Sequence, residues 1–417
     1  MTTTTADAAA IGAATGSAAA PGGPAPLLRL LPGRDARVRF GHPWAFSNEV
    51  AMTPAAKAIP PGTAVRLEGA DGWRHGLWHF NPHSLIAARR LSPDPGASLD
   101  AAFWAGRIAA ALALRARLFG DVPHYRLAHA EADGLPGLVL DRYGDVLALQ
   151  ANTAGMERAT PTILDALLSL LPGLRAVVAR NDSGVRKLEG LPEEVRALHG
   201  TDARATVEEG GVAFAVDPLG GQKTGWFHDQ RENRARVASV SRGATVLDAF
   251  CHTGGFGLQA ARAGATRVTL LDRSESALAT AAETAARNGL SGRIESERGE
   301  AMDWLERAAG EGRRWGVVVA DPPAFAKSAK DRGPALRAYA QLARRAGRLV
   351  EPGGFLFLAS CSHHVGAGEF ADAALDGLRR ARREARVLAA TGAGPDHPVH
   401  PMLPESAYLK ALTLHLA

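Results

Sequence analysis

Hydrophobic and polar positions along the chain fall into three regimes. From residue 27 to about 95, short segments are broken by Gly, Pro and Asp, with little helical periodicity and with spaced aromatics at Phe40, Trp44, Phe46, Trp73, Trp78 and Phe80. That pattern predicts a small β-rich domain. Leu99 to Leu118 then carries apolar residues at helical spacing behind Asp100, and Val146 to Gln150 reads as a strand after a turn, so residues 97–200 form a mixed α/β module. From 207 to 417, strand and helix patterns alternate, the signature of a mostly parallel sheet covered on both faces. The predicted strands are Thr245–Ala249, Arg267–Leu271, Arg293–Glu297, Trp315–Ala320 and, after a Pro352-Gly353-Gly354 turn, Phe355–Ala359. Helices are predicted over Gly255–Ala263, Glu275–Asn288 and Arg332–Val350. Two further strands, Ala385–Ala389 and Tyr408–Leu416, close the chain around a Gly/Pro/His-rich loop placed to lie over the site.

A chain of 417 residues is too long for one ordinary core, which agrees with several domains. At 46% hydrophobic and 22% charged it reads as a soluble globular protein, and it lacks an uncharged apolar run of the roughly 18 residues that would span a bilayer. Residues 1–26, mostly Ala, Thr, Gly and Pro without Lys or Arg, read as a disordered tail rather than a signal or transit segment. Cys251 and Cys361 are too few for a disulfide framework or a metal cluster, which points to a reducing cytoplasm and leaves catalysis as the remaining cysteine chemistry. The net charge of +5 leans toward polyanionic partners but equally suits a merely basic surface.

In an open α/β sheet the ligand sits outside the carboxyl ends of the strands, and Asp248, Asp272, Asp321 and Cys361 all fall there. The first turn runs from Asp248 to Gly257 through Thr253, Gly254 and Gly255; its glycines admit a ligand to the backbone where a helix begins. Asp272, ending the second strand, is placed to accept the two hydroxyls of a ribose. Glu300, after the third strand, is placed to approach an adenine edge. Taken singly, Asp272 would be a helix cap and Glu300 a solvated acid; their joint spacing overrides that. A nicotinamide dinucleotide would call for G-x-G-x-x-G. Here the loop is G-G-x-G behind an acid, which suits the cationic methionine part of S-adenosylmethionine and predicts a methyltransferase.

Asp321-Pro322-Pro323-Ala324-Phe325 follows the fourth strand, where two prolines stiffen a loop suited to holding a flat base; the plain alternative is a proline-rich turn with Phe325 in the core. Cys361, in Ser360-Cys361-Ser362-His363-His364, follows the fifth strand on the same rim. Carbon 5 of cytosine is a poor nucleophile, and methylating it calls for a thiolate that adds to carbon 6. Cys361 fits that role, with Asp321 hydrogen-bonding the base at N3 and His363 or His364 favouring the thiolate or removing the C5 proton. A metal at His363 and His364 is disfavoured because no further ligand is close in sequence. Cys251, inside the glycine loop, is assigned no chemistry.

The chain from about residue 27 onward resembles the bacterial large-subunit ribosomal RNA cytosine-C5 methyltransferases. The resemblance rests on Gly41-His42-Pro43-Trp44-Ala45-Phe46, Arg180-Asn181-Asp182, Val185-Arg186-Lys187, Gly221-Gln222-Lys223-Thr224-Gly225, Asp229-Gln230-Arg231, the 248–257 loop, Asp321-Pro322-Pro323 and Ser360-Cys361-Ser362. It implies a PUA domain over residues 27–95, a small central α+β domain over 97–200 and a seven-stranded, Rossmann-like class I methyltransferase domain over 207–417. It also implies S-adenosylmethionine as cofactor, cytoplasmic large-subunit ribosomal RNA as partner, and a place for Lys223, Thr224, Asp229 and Gln230 around the cofactor. Arg29, Arg34, Arg37 and Arg39 are candidate phosphate contacts in the PUA-like part. The chain departs from two-cysteine enzymes in carrying Ala324 after Pro323, so only one thiol is available. Rival readings are an exocyclic-amine methyltransferase on guanine or adenine, a silent ribosome-assembly factor and a small-molecule methyltransferase. Whether the chain forms a homodimer is open at this level.

Overall fold

The computed structural model describes residues 25–220 and 225–417. Its first sheet holds five strands, with Leu27–Arg29 on one edge beside Thr63–Glu68, followed by Arg74–Phe80, Ala88–Ser92 and Trp44–Ala45. Alternate residues of these strands, Leu28, Val65, Leu67, Trp78 and Phe80, fill a small core of their own. The second sheet runs through His124–His129, Leu138–Tyr143, Val146–Ala151, Ala176–Asn181 and Glu194–His199 in that spatial order. Helices Ala101–Phe119 and Ala154–Leu170 pack on it, the latter forming the crossover between its one parallel pair. Asp100 caps the first of these helices by accepting from Phe103 N–H, and Thr153 caps the second through Met156 N–H.

The hairpin Ala205–Glu209/Val212–Val216 leads into a seven-stranded sheet. Its strands are β1 (Thr245–Ala249), β2 (Arg267–Asp272), β3 (Ile294–Arg298), β4 (Trp315–Ala320), β5 (Val350–Ser360), β6 (Ala385–Thr391) and β7 (Lys410–Leu416). The spatial order is β3-β2-β1-β4-β5-β7-β6, parallel from β3 to β5 and antiparallel on both sides of β7. This is the Rossmann-like α/β architecture, with order reversal between β1 and β4. Side chains alternate between two apolar layers: Val246, Val268, Leu270, Val317 and Val319 face one way, and Leu247, Leu271, Val318, Leu356 and Leu358 the other. Helices Arg231–Ser239, Gly255–Arg262 and Glu275–Arg287 cover the first layer, and Ala301–Gly310, Arg332–Arg348 and Ala367–Arg380 the second.

Three elements differ most from the sequence reading. Strand β5 begins at Val350 and passes through Pro352, Gly353 and Gly354 as an irregularity in its pairing with β4 rather than starting after a turn. Helices Ala301–Gly310 and Ala367–Arg380 were not anticipated; their buried faces are built largely from Ala, with Trp304, Leu305, Phe370 and Leu378, so the apolar stripe is faint in sequence. Helix Gly255–Arg262 sits so close to β2 that a Cβ on Gly257 would lie 2.4 Å from a Leu270 methyl and 2.9 Å from Val268. Gly257→Ala is therefore expected to destabilise the fold by about 1–3 kcal/mol, read as a lowered thermal unfolding midpoint.

Candidate active site

The rim of the sheet is shaped by the 248–257 loop. Phe250 and His252 take positive φ values of 62° and 50°, and Gly254, at 78°, caps the following helix in the left-handed region. The turn is held by Cys251 N–H to Leu271 O at 3.1 Å and by Gly254 N–H to Cys251 O at 2.8 Å. Asp272 cross-links it to the next strand: one carboxylate oxygen accepts from His252 N–H (2.9 Å), the other from Ser274 N–H (2.8 Å).

Asp248 is fully buried, and only one of its oxygens, Oδ2, accepts a bond, from Gly257 N–H at 2.8 Å. Its Oδ1 has no partner among the described residues. Burial, followed by the charges of Asp321 and Asp272, raises its pKa to about 7, against the opposing pull of the Gly257 N–H. Three carboxylates thus converge on one rim with an unsatisfied oxygen in the middle. A ligand carrying positive charge answers that arrangement; an anionic pyrophosphate does not. The site therefore fits a sulfonium cofactor with an amino group.

Gln230 lies in the turn Phe227–Arg231, donates to Asp321 Oδ2 at 2.8 Å and accepts from Asn233 at 2.7 Å, which in turn holds Thr391 of β6. Neighbouring Asp229 accepts from Tyr408 O–H at 2.5 Å, and Gly394 N–H bonds Asp229 O at 3.1 Å, so the Gly/Pro/His-rich loop is seated on this turn. The same loop is anchored to the central α/β module, where Arg126 N–H of strand His124–His129 donates to Asp396 Oδ2 and Arg115 of helix Ala101–Phe119 donates to Asp396 O. Asp248, Asp272, Asp321, Gln230 and the glycine loop with Thr253, Gly254 and Gly255 are brought to one rim. Glu300 follows Gly299, whose N–H bonds Asp272 O at 3.1 Å, and so lies beside the Asp272 strand end, its side chain 69% exposed at the start of a helix and 4.0 Å from Arg273. Lys223 and Thr224 lie outside the described residues.

Cys361 emerges half-buried from β5, beside the loop that leaves β4. A chain of hydroxyls ties the two loops together. Ser360 donates to Tyr339 Oη at 2.8 Å, Tyr339 and Ser362 are bonded at 2.8 Å, and Ser362 Oγ accepts Ala326 N–H at 3.1 Å. Pro322 is buried, Pro323 exposed, and Phe325 packs half-buried on the Tyr339 ring at 4.8 Å. Tyr339→Phe is expected to lower turnover several-fold without changing cofactor affinity, because the Ser360 and Ser362 hydroxyls lose the partner that fixes the Cys361 turn; steady-state kinetics check the split. His363 stacks on Tyr408 at 5.2 Å. Cys251 is 6% exposed, and burial together with Asp248 and Asp272 pushes its thiol well above the ordinary range.

Sequence reasoning missed Tyr339, Tyr408 and Lys410. A lone Lys at the head of an otherwise apolar strand was the available signal for the last; Tyr339 lies inside an Arg-rich helix that gave none. In the PUA-like part, Arg29 is held by Glu68, Arg37 by Glu49, and Arg39 by Asp35 and Asp71, so much of the basic charge read from sequence is locally neutralised.

Comparison with known proteins matches residues 28–93 to a PUA-like domain and residues 178–415 to an S-adenosylmethionine-dependent methyltransferase family. The chain is 38% identical to the "Ribosomal RNA large subunit methyltransferase I" of Shewanella denitrificans, over 92% of this chain and 98% of that one. It is 37% identical to the "Ribosomal RNA large subunit methyltransferase" of Deinococcus radiodurans, over 95% of this chain and 99% of that one. Among solved structures, SMU.776, a methyltransferase complexed with SAH, shares the fold with a TM-score of 0.80 at 18% identity, covering 94% of this chain and all (100%) of that one. A further SAM-dependent methyltransferase from Streptococcus mutans gives 0.78 at 19% identity, with the same coverage of 94% and 100%.

Proposed function

The chain belongs to the S-adenosylmethionine-dependent methyltransferase family of these ribosomal RNA large-subunit enzymes, and on that premise we propose that it methylates carbon 5 of a cytosine in large-subunit ribosomal RNA through a Cys361 adduct. The observation that carries this reading is the juxtaposition of Asp321 and Cys361 at the ends of paired strands, with their loops bonded through Tyr339 and Ser362.

The cofactor supplies an electrophilic methyl group, and Asp248, Asp272, Glu300, Thr253, Gly254, Gly255, Asp229, Gln230 and Asp321 are the residues proposed to hold it. The cytosine ring lies on the Pro322-Pro323 loop with Asp321 at N3. The Cys361 thiolate forms a bond to carbon 6, and the electron pair of the C5–C6 double bond passes to carbon 5 and N3. Carbon 5 uses its electron pair to take the methyl group, and the pair of the broken sulfur–methyl bond remains on the departing thioether sulfur. A base then removes the C5 proton, the C6–S bond breaks, and the thiolate is released. Residues 27–95 and 97–200 are assigned to RNA docking and to bracing of the loop seated on Asp229. The test is to incubate the protein with labelled S-adenosylmethionine and deproteinised large-subunit RNA lacking the native modification, then digest to nucleosides. Label in 5-methylcytidine supports the reading; label in a methylated guanosine or adenosine overturns it in favour of amine methylation, and no label overturns it altogether.

A further inference from the structure

Lys410 opens β7 directly opposite Ser360 of β5, the residue before Cys361. Although a lysine, it is only 7% exposed. Its Nζ donates to Ser362 O at 2.6 Å and Tyr408 O at 2.8 Å, which clamps the ammonium against the carbonyl of the residue that follows Cys361. Among the described residues no carboxylate forms an ion pair with it; every ion pair of the C-terminal strands and loops involves other groups. A buried cation without a counter-charge costs several kcal/mol, and carbonyl dipoles offset only part of that.

The missing charge has an evident source. Lys410 is paired across the strands with the residue before Cys361 and bonds the carbonyl of the residue after it, so the ammonium lies beside the Cys361 turn; burial draws its pKa down, and a negative charge on Cys361 acts to raise it. Tyr339, from helix Arg332–Arg348, is raised by burial and also feels the Cys361 charge, so it stays a neutral phenol. His363, exposed on the Cys361 loop, has its pKa lowered by desolvation and by the Lys410 charge against a backbone bond to Glu405, which favours the neutral ring near pH 7. His364 is exposed on the same loop. Asp321, on the neighbouring strand end, is acidic and disfavours a thiolate.

We infer that Lys410 is the positioning residue that keeps Cys361 as a thiolate, its ammonium clamped between two carbonyls and offered to the sulfur as counter-charge. The inference rests on Cys361 being the nucleophile, and it replaces the sequence-level candidates His363 and His364 in the thiolate-stabilising role. The proton left by Cys361 goes to solvent at the half-buried rim. No further reactant is needed.

The test is the pH profile of Cys361 alkylation by iodoacetamide in the full chain, followed by mass spectrometry of the Cys361 peptide, with the buried Cys251 as internal control. In the unsubstituted protein the midpoint is expected well below the ordinary thiol value of about 8.5. In Lys410→Met it is expected to rise by about one unit or more, slowing alkylation at pH 7 roughly tenfold, and Lys410→Arg is expected to restore most of the low midpoint. Lys410→Gln serves if the Met variant does not fold, as judged by circular dichroism. A Met or Gln profile that overlies the parent, or a parent midpoint at or above 8.5, overturns the inference. A shifted profile without 5-methylcytidine would instead sink the cytosine reading and leave the Lys410–Cys361 pair standing.

Discussion

Cys361→Ala is expected to lower methyl transfer to RNA by about 10³-fold or more while cofactor affinity stays at the parent level. The size of the effect follows from the acceptor. An amine nitrogen carries its own lone pair and needs only orientation, but carbon 5 of cytosine becomes nucleophilic only while a group is bonded at carbon 6. No second sulfur can take over. Position 324 is alanine, and Cys251 is packed inside the glycine loop with its thiol pushed up by burial and by two carboxylates. RNA carrying 5-fluorocytidine provides the direct measurement, because fluorine replaces the proton that must leave and the adduct persists through denaturing electrophoresis. The parent protein is expected to form the stable complex and Cys361→Ala to form none. A variant that retains transfer within about tenfold, a loss too small for removal of an essential nucleophile, would exclude the covalent route and return the chemistry to Asp321 and its loop.

The legibility of this site in sequence was uneven for physical reasons. The strand ends holding Asp248, Asp321 and Cys361 were readable because a buried parallel strand is a short run of β-branched and aliphatic residues, and the polar residue that ends it is conspicuous: Val-Leu-Asp, Val-Val-Ala-Asp, Leu-Ala-Ser-Cys. Helix Glu275–Arg287 was readable from its Ser274 cap and Ala/Leu stripe. What resisted were contacts between segments distant in the chain. Tyr408 meets Asp229 across 179 residues and Asn81 meets Glu189 across 108; neither partner's local pattern encodes the other. The buried ion pair Arg234–Glu209, stacked beneath Trp226 and shared with Gln259, reads in sequence as two ordinary surface charges. Burial of charge is a tertiary property, and the pairs that matter most to the site were for that reason the least visible.

Asp248→Asn is expected to have opposite effects on the free protein and on its cofactor complex. In the free protein the carboxyl is neutral in both folded and unfolded chains at acid pH. As pH rises past the ordinary carboxylate value, the unfolded chain ionises first, while the folded group holds its proton until about pH 7. The folded state therefore loses stability across that interval and no further above it. Asparagine has no charge to desolvate, so the variant's stability relative to the parent should grow by about 2–3 kcal/mol between pH 5 and pH 8 and then level off. Cofactor binding runs the other way. A cation beside the unsatisfied Oδ1 needs the carboxylate, so parent affinity should rise with pH up to about 7 and then plateau. The Asn variant should bind about 10²-fold more weakly at pH 8 with little pH dependence, the loss on removing one partner of a buried charge pair. Thermal unfolding with and without S-adenosylmethionine, at pH 5 and pH 8, measures both arms. A variant that binds as tightly as the parent would remove Asp248 from the cofactor site; one that gains no stability at pH 8 would mean that the three carboxylates are already neutralised by a group in the free protein.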